Sequence, residues 1–483
     1  MDLVSGFPKN LAYTLKQLAN FTKQTVKVIP DRTKGINFGD VSRFKLPSSA
    51  MIDFRTISIF ADITLYKGTM GDGTGYSLHL PRNTASLIQQ ITITCNGVQI
   101  CNINDYNLLY NTIYDLEGAD FSQTSKRYLE NADPSVYFVS GNTNADGETP
   151  ITAYTAAKNT AGNGETNRKI VINNFLGFIG SLSTPVLDLT DTGDIYIEIR
   201  WAPTKVLWGT TNTGGVTYNV DTGCSIDDLR MTCSKINFES SEYYDLKAQK
   251  LTSDGLLVGY YDYWTARGTG QVKSSGINVN FNVTTNSLDQ CIATFQNNDY
   301  QNIRALILDN AESTTMADVK TFNQVLADPV THTTSAAGYG DAFNQSYYFM
   351  RAGADLATSQ WSINSTNVDP YPLPPSEIWN QNLIALGNNN IDFGTSGVHP
   401  GCLSLFHFLK YYFCHILSLE NISGDGQMWR SGLSGNGSTI NINYAATFGN
   451  VGGTNNGDTV QPVIFCRSTK ILTIRDGHII SVV

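Results

Sequence analysis

The sequence predicts an all-β protein: two tandem antiparallel β-sandwiches with short inserted helices and long loops. Composition, alternation and a loosely repeated order of elements point there. Only 15% of the 483 residues are charged, against about 25% in ordinary soluble proteins. Asn, Thr, Ser and Gly supply the polarity, a mix that suits pleated strands and turns better than long helical surfaces. Segments with strict two-residue alternation recur along the chain, as in "DIYIEIRW", where Ile195, Ile197 and Ile199 share one face. Regular alternation of strand and helix is missing, which argues against a parallel sheet.

Taken in order, residues 10–24, "NLAYTLKQLANFTKQ", place Leu11, Leu15, Leu18 and Ala19 on one helical face. This short amphipathic helix opens an N-terminal arm assigned to residues 1–43. Residues 1–34 carry Lys9, Lys16, Lys23, Lys27, Arg32 and Lys34 against Asp2 and Asp31, a local excess of four positive charges in a chain of net charge −10. The first sandwich is assigned to residues 44–238 and the second to 239–483.

Within the first sandwich, "MIDFRTISIFADITLYKG" is a long strand, and "SLIQQITITCNGVQICNI" is a hairpin about an Asn96-Gly97 turn. That turn is expected to pair Cys95 with Val98 and Cys101 with Thr92. "DYNLLYNTIYDLEG" changes to helical spacing, with Leu108, Leu109, Thr112, Ile113 and Leu116 on one side. A polar stretch over 140–167 is expected to be a long exposed loop. "NNFLGFIGSLSTPVLDLTDTGDIYIEIRWAP", residues 173–203, then gives a short buried helix or turn followed by two strands about a polar turn closed by Gly193. "GVTYNVDTGCSIDDLRMTCSKINF" is strand again.

The second half follows a similar order. "GINVNFNVTTNSLDQCIATF" is a long strand or hairpin, "NIRALILDN" a strand, and residues 310–343 a second long polar loop. "SQWSINSTNVDPYPLPPSEIWNQNLIALG" parallels "VQICNINDYNLLYNTIYDLEG", and "CHILSLENISGDG…STININYAATF" parallels "PVLDLTDTGDIYIEIRWAP". The match is one of element order, and it indicates an internal duplication with its seam near Phe238.

Chemistry-bearing motifs are scarce. "GDGTGY" and "GTGQVKSSG" lack the lysine and following helix of a phosphate loop, and "SGLSGNGS" around Ser434 misses the spacing of a nucleophile elbow. "DLTDTGDIYIEI", from Asp188, has Thr190 and Thr192 where a calcium loop needs oxygen ligands of the acidic type, and Ile199 at the twelfth position. His399, His407 and His415 recur every eight residues, which no helix or strand converts into a three-ligand site. Asp227-Asp228 is a carboxylate pair with nothing to mark it as a hydrolytic site, and the tryptophans are expected to pack. The eight cysteines, at 95, 101, 224, 233, 291, 402, 414 and 466, form no metal or disulfide framework. The expectation is a non-enzyme without catalytic residue, metal or cofactor. The start "MDLVSGFPKN" lacks a basic segment followed by an apolar one, and the apolar run 403–419 is interrupted by His407, Lys410 and His415. Synthesis in the cytosol without a signal peptide or transmembrane segment is therefore expected.

Tandem sandwiches, an amphipathic arm, long inserted loops and no catalytic motif resemble the double jelly-roll major capsid proteins of the adenovirus-like, tailless dsDNA virus lineage. The chain looks closest to those of polinton-like viruses and virophages. The residues carrying the likeness are "NNFLGFIGSLSTPVLDLTDTGDIYIEIRWAPTKVLW", with "CNGVQICNINDYNLLYNTIYD" and its counterpart "WSINSTNVDPYPLPPSEIWNQ". The resemblance implies two jelly rolls per chain, homotrimeric capsomers of pseudo-hexagonal outline, and self-assembly into an icosahedral shell around a dsDNA genome. Implied partners are neighbouring capsomers and penton and minor capsid proteins, and the implied location is the virion. Lys9, Leu11, Leu15, Lys16, Leu18, Lys23 and Lys27 of the arm would then form an inner-face contact with genomic DNA or an internal membrane. Two other classes fit an all-β chain of this composition: a carbohydrate-binding or carbohydrate-cleaving sandwich, and a trimeric receptor-binding or fibre protein. The first would need clustered Trp and carboxylates in a cleft, and the second fibrous repeats.

Overall fold

The computed structural model describes residues 21–116, 166–211, 224–297, 306–308, 347–385, 408–420, 432–449 and 459–482, with short gaps inside several of these ranges. Most of the described chain is strand. The first sheet has the order β1 (Phe21–Val28), β13 (Cys224–Phe238), β4 (Met51–Leu65), β10 (Val186–Asp188). β2 (Ile36–Asn37) joins β13, and β9 (Thr166–Ile172) joins β4. The second sheet runs β3 (Val41–Lys45), β11 (Ile195–Trp201), β7 (Ile88–Cys95), β8 (Val98–Asn104).

The second half builds β14 (Leu256–Arg267), β23 (Thr459–Arg475), β17 (Leu288–Asn297), β21 (His415–Ser418), with β15 (Gln271–Val272) and β24 (His478–Val482) also on β23. Its other sheet is β16 (Ile277–Val283), β22 (Ile440–Phe448), β19 (Leu356–Ile363), β20 (Thr366–Asn367). A fifth, smaller sheet joins β18 (Leu306–Leu308), β12 (Trp208–Thr211), β6 (Gly75–His79) and β5 (Lys67–Thr69). In it β12 and β18, one from each half, run parallel; the other ladders are antiparallel.

Counting the eight main strands of each half in chain order, both halves show one sheet ordered first-eighth-third-sixth and another ordered second-seventh-fourth-fifth. That is the jelly-roll arrangement, present twice, and it is the tandem sandwich architecture the sequence predicts. Alternation is the cause: β11 shows strict inward burial of Ile195, Ile197, Ile199 and Trp201, and β22 does the same with Ile440, Ile442, Tyr444 and Ala446. A short helix follows the fifth strand in each half, α1 (Tyr106–Leu116) after β8 and, later, the Pro375–Ala385 helix after β20. Leu108, Leu109 and Thr112 are fully buried on the expected face of α1.

Several expectations are corrected. Residues 21–24, placed at the end of the amphipathic helix, are strand. The run "FTKQTVKV" is rich in β-branched residues and pairs along its whole length with β13, from Phe21↔Phe238 to Val28↔Met231. Residues 10–20 lie outside the described ones, as do those of the 140–167 loop up to residue 165 and the whole 310–343 loop. Because β1, β2 and most of β3 come from residues 21–43, the second half of the arm assigned to 1–43 is part of the first sandwich. Cys95 pairs with Val98 as expected, about Asn96 and Gly97 at φ 48° and 81°, a turn that needs positive φ at both positions. Cys101, however, pairs with Ile93, not Thr92, because the ladder slips by one residue at Ile100. The bulge allows the adjacent Ile100 and Cys101 both to be buried.

The stretch "GINVNFNVTTNSLDQCIATF", expected to be a long strand or hairpin, is instead two strands in opposite sheets, β16 and β17. The internal repeat is also shifted at one point. "SQWSIN" is β19, the counterpart of β7, and the strand equivalent to β8 is the two-residue β20. The helices and the pair "PVLDL…DIYIEIRW" and "HILS…ININYAATF" correspond as expected, as β10–β11 and β21–β22.

Candidate functional site: the junction between the two sandwiches

The first part of the stretch 173–203 is wedged between the two sandwiches. α2 (Phe178–Ser181) is a single turn entered through Gly177 at φ 72°. A Cβ on Gly177 would come within 2.5 Å of Ile103 Cδ1, and one on Gly180 within 1.7 Å of the Phe175 carbonyl oxygen. Both positions therefore require glycine. This close approach drives Phe178 into an edge-on contact with Phe54 of the first sandwich at 5.7 Å and with Tyr260 of the second at 5.0 Å.

Hydrogen bonds complete the join. Ser183 N–H donates to the Gly259 carbonyl (2.9 Å), and the Gly259 and Tyr261 N–H groups donate to the hydroxyls of Ser183 (3.0 Å) and Ser181 (2.8 Å). The outward edge of β14 is thus satisfied by the connector. The Tyr260 hydroxyl donates to the carbonyl of the bulged Ile100 (2.5 Å), and Thr265 donates to Asn104 (2.8 Å). At the far end, Arg267 forms a two-pronged ion pair with Asp105 at 2.7 and 2.8 Å. Burial alone would lower the Arg267 pKa, but the facing Asp105 carboxylate raises it.

The polar turn at Asp188 is a structural anchor. Asp188 accepts from the Lys247 ammonium (2.6 Å) and the Tyr243 hydroxyl (3.0 Å), both on the linking helix α3 (Ser241–Thr252), and caps the following turn through Thr190 N–H (3.0 Å). Burial pushes this carboxyl up, and the Lys247 ammonium and Thr190 more than offset it, so that it lies below the ordinary carboxylate range. Its oxygens are committed to these partners. Asp227 and Asp228 are likewise spent locally. Asp227 accepts from Gly35 N–H and the Ser225 hydroxyl, and Asp228 pairs with Arg230 at a bulge. Trp201 packs with its indole N–H on Ser42 (2.8 Å), and Trp379, on the 375–385 helix, lies against Phe408.

One pair has the composition of a nucleophile and base. Ser359 Oγ lies 2.8 Å from His415 Nδ1, and His415 Nε2 lies 3.0 Å from the Gln381 amide oxygen. Both residues are buried beneath Trp361 and Tyr444, and burial holds the imidazole pKa down to about 3. A neutral histidine backed by an amide inside a sandwich is a core hydrogen-bond bridge, without access for a substrate.

Of the arm residues, Lys9, Leu11, Leu15, Lys16 and Leu18 lie outside the described residues. Lys23 and Lys27 are exposed on β1, and the Lys23 ammonium is 3.7 Å from Asp53. The junction residues Asp105, Lys247, Tyr260 and Arg267 were not singled out from the sequence. The one available signal was Tyr260 and Asp262, polar groups on an otherwise apolar parity of β14.

No family model matches the chain, and no curated protein matches it in sequence. Solved structures do. The PBCV-1 protein VP54, fitted into a reconstruction of the virophage Sputnik, superposes with a TM-score of 0.53 at 11% identity, covering 96% of each chain. A chain of the PBCV-1 virus capsid gives 0.53 at 12% identity over 95% of each chain. A chain of the Sputnik virophage structure gives 0.50 at 11%, covering 96% of this chain and 89% of that one. End-to-end coverage at such low identity is a statement about architecture, and the chain has the double jelly-roll fold of these viral capsid proteins.

Proposed function

We propose that the chain is the major capsid protein of a dsDNA virus. Three copies form a pseudo-hexagonal capsomer of six jelly rolls, and capsomers tile an icosahedral shell. The observation that supports this best is the same eight-strand order twice in one chain, joined by a buried, hydrogen-bonded junction. A rigid pair of equivalent bodies is what a three-fold ring with near six-fold outline needs. In this reading the jelly rolls comprise residues 21–238 and 239–483, and the arm proper is confined to about residues 1–20. Lys9 and Lys16, with the apolar face of Leu11, Leu15 and Leu18, would meet DNA, anionic lipid or a minor capsid protein at the inner surface. Neighbouring capsomers and penton proteins would be the other partners, the virion the location, and the role structural, not enzymatic. Negative-stain microscopy of the purified protein tests it: hexagon-outlined particles or closed shells are expected, and a uniformly monomeric protein at assembly concentrations would overturn it.

A further inference from the structure

The duplication gives equivalent strands two different surroundings. β14 opens the second jelly roll beside its eighth strand, and its outward edge is covered by β8 and the 173–185 connector. Val258, Tyr260, Asp262 and Tyr263 are buried in consequence. β1 occupies the same place in the first jelly roll. There Thr22 to Thr25 and Lys27 are exposed, and Ile29, just beyond the strand, is 61% exposed. β20 likewise holds the place of β8, yet Thr366 and Asn367 are exposed, followed by Val368 at 39% and Tyr371 at 51%. Among the described strands β1 pairs only with β13 and β20 only with β19. Among the described residues, one member of each equivalent pair serves the internal junction and the other pairs with a single strand.

We infer that the end of β1 in one copy docks on the corner between β20 and the 375–385 helix of a second copy, repeating between chains the junction made within each. This deepens the trimer reading and rests on it. At the internal junction it is the strand ends that meet: Thr265 and Arg267 on β14 bond Asn104 and Asp105 at the end of β8. Near the corresponding places on the other two strands, the exposed residues are those of 29–32, past β1, and of 368–371, between β20 and the 375–385 helix. Their chemistry is complementary, Ile29 facing the exposed Val368 and Tyr371. Asp369 is not the counterpart of Asp105, which directly precedes its helix; it lies six residues ahead of the 375–385 helix, is buried, and already accepts from Trp361 N–H and Gln381. The acceptor left for Arg32 is Glu377, exposed in the first turn of the helix, where its carboxylate holds the Tyr371 hydroxyl at 2.8 Å. The Arg32 side chain is 61% exposed; its Nε donates to the Lys34 carbonyl at 3.1 Å and its Nη1 lies 3.6 Å from Asp40. A contact joining two different patches is heterologous, and it closes into a ring when the rotation permits.

The test uses full-length protein carrying I29C and Y371C, sized by light scattering and treated with a short bismaleimide; the six described native cysteines are buried. Covalent dimers and trimers are expected on a denaturing gel from the double variant. A co-assembled mixture of the two single variants should stop at dimers, and either single variant alone should give only the wild-type background. A wild-type trimer whose double variant does not cross-link leaves the trimer standing and overturns the inference. Cross-linking by one single variant alone means a two-fold contact and also overturns it. A monomeric wild type removes the trimer reading and this contact together.

Discussion

His415 shows how one side chain records its surroundings. It sits in β21 with both ring nitrogens engaged by Ser359 and Gln381, and burial depresses its pKa from 6.5 to about 3. Between those values the unfolded chain binds a proton that the native chain refuses, so stability is complete above pH 6.5 and falls as the pH drops toward 3. By pH 4 the loss from this residue is on the order of 3 kcal/mol. His415→Gln keeps polar partners for Ser359 and Gln381 and cannot titrate. Its fall in melting temperature between pH 7 and pH 4 should be smaller than the wild type's, and equal falls would exclude this role. Recurrence of histidine at positions 399, 407 and 415 carried no hint of this, because solvation depends on strands distant in sequence. The glycines of "LGFIGS" were equally opaque: Gly180 is required by the Phe175 carbonyl, a contact that no propensity scale contains.

At the level of elements, β1 separates two deletions that look alike in sequence. Removing residues 1–20 spares every described strand, whereas removing 1–28 strips an eight-residue ladder from β13 and exposes that strand's edge. The shorter deletion should retain the wild-type melting temperature within about 2 °C and still form capsomers. The longer one should melt several degrees lower and aggregate; indistinguishable melting curves for the two would contradict the role given to β1. In the sequence, Leu11, Leu15 and Leu18 set a helical period that runs on past Phe21. Pairing with β13, some 200 residues away in sequence, decides otherwise. Elsewhere local pattern sufficed: β7, β8, β10, β11 and β22 alternate visibly, and Asn96-Gly97 marks its own turn.

On the scale of the whole molecule, the two jelly rolls share one continuous apolar core that includes Phe54, Phe178 and Tyr260. The Asp188–Lys247 and Asp105–Arg267 pairs tie the linking helix and the second jelly roll to the first. Parting the halves would break the Asp105–Arg267 pair and expose the apolar contacts of Phe178 with Phe54 and Tyr260 to water. Heat unfolding followed by calorimetry should therefore show a single transition, and two resolved transitions would mean that the junction is weaker than its geometry implies. Sequence alone determined the all-β class, the duplication, most strand positions and the lack of a recognisable catalytic motif, because alternation and turn chemistry act over a few residues. Tertiary structure decided which strands lie at sheet edges, that residues 21–28 form a strand and what the 173–203 stretch does. Those outcomes depend on partners far apart in the chain: Phe178 is one more apolar residue until Phe54 and Tyr260 close over it.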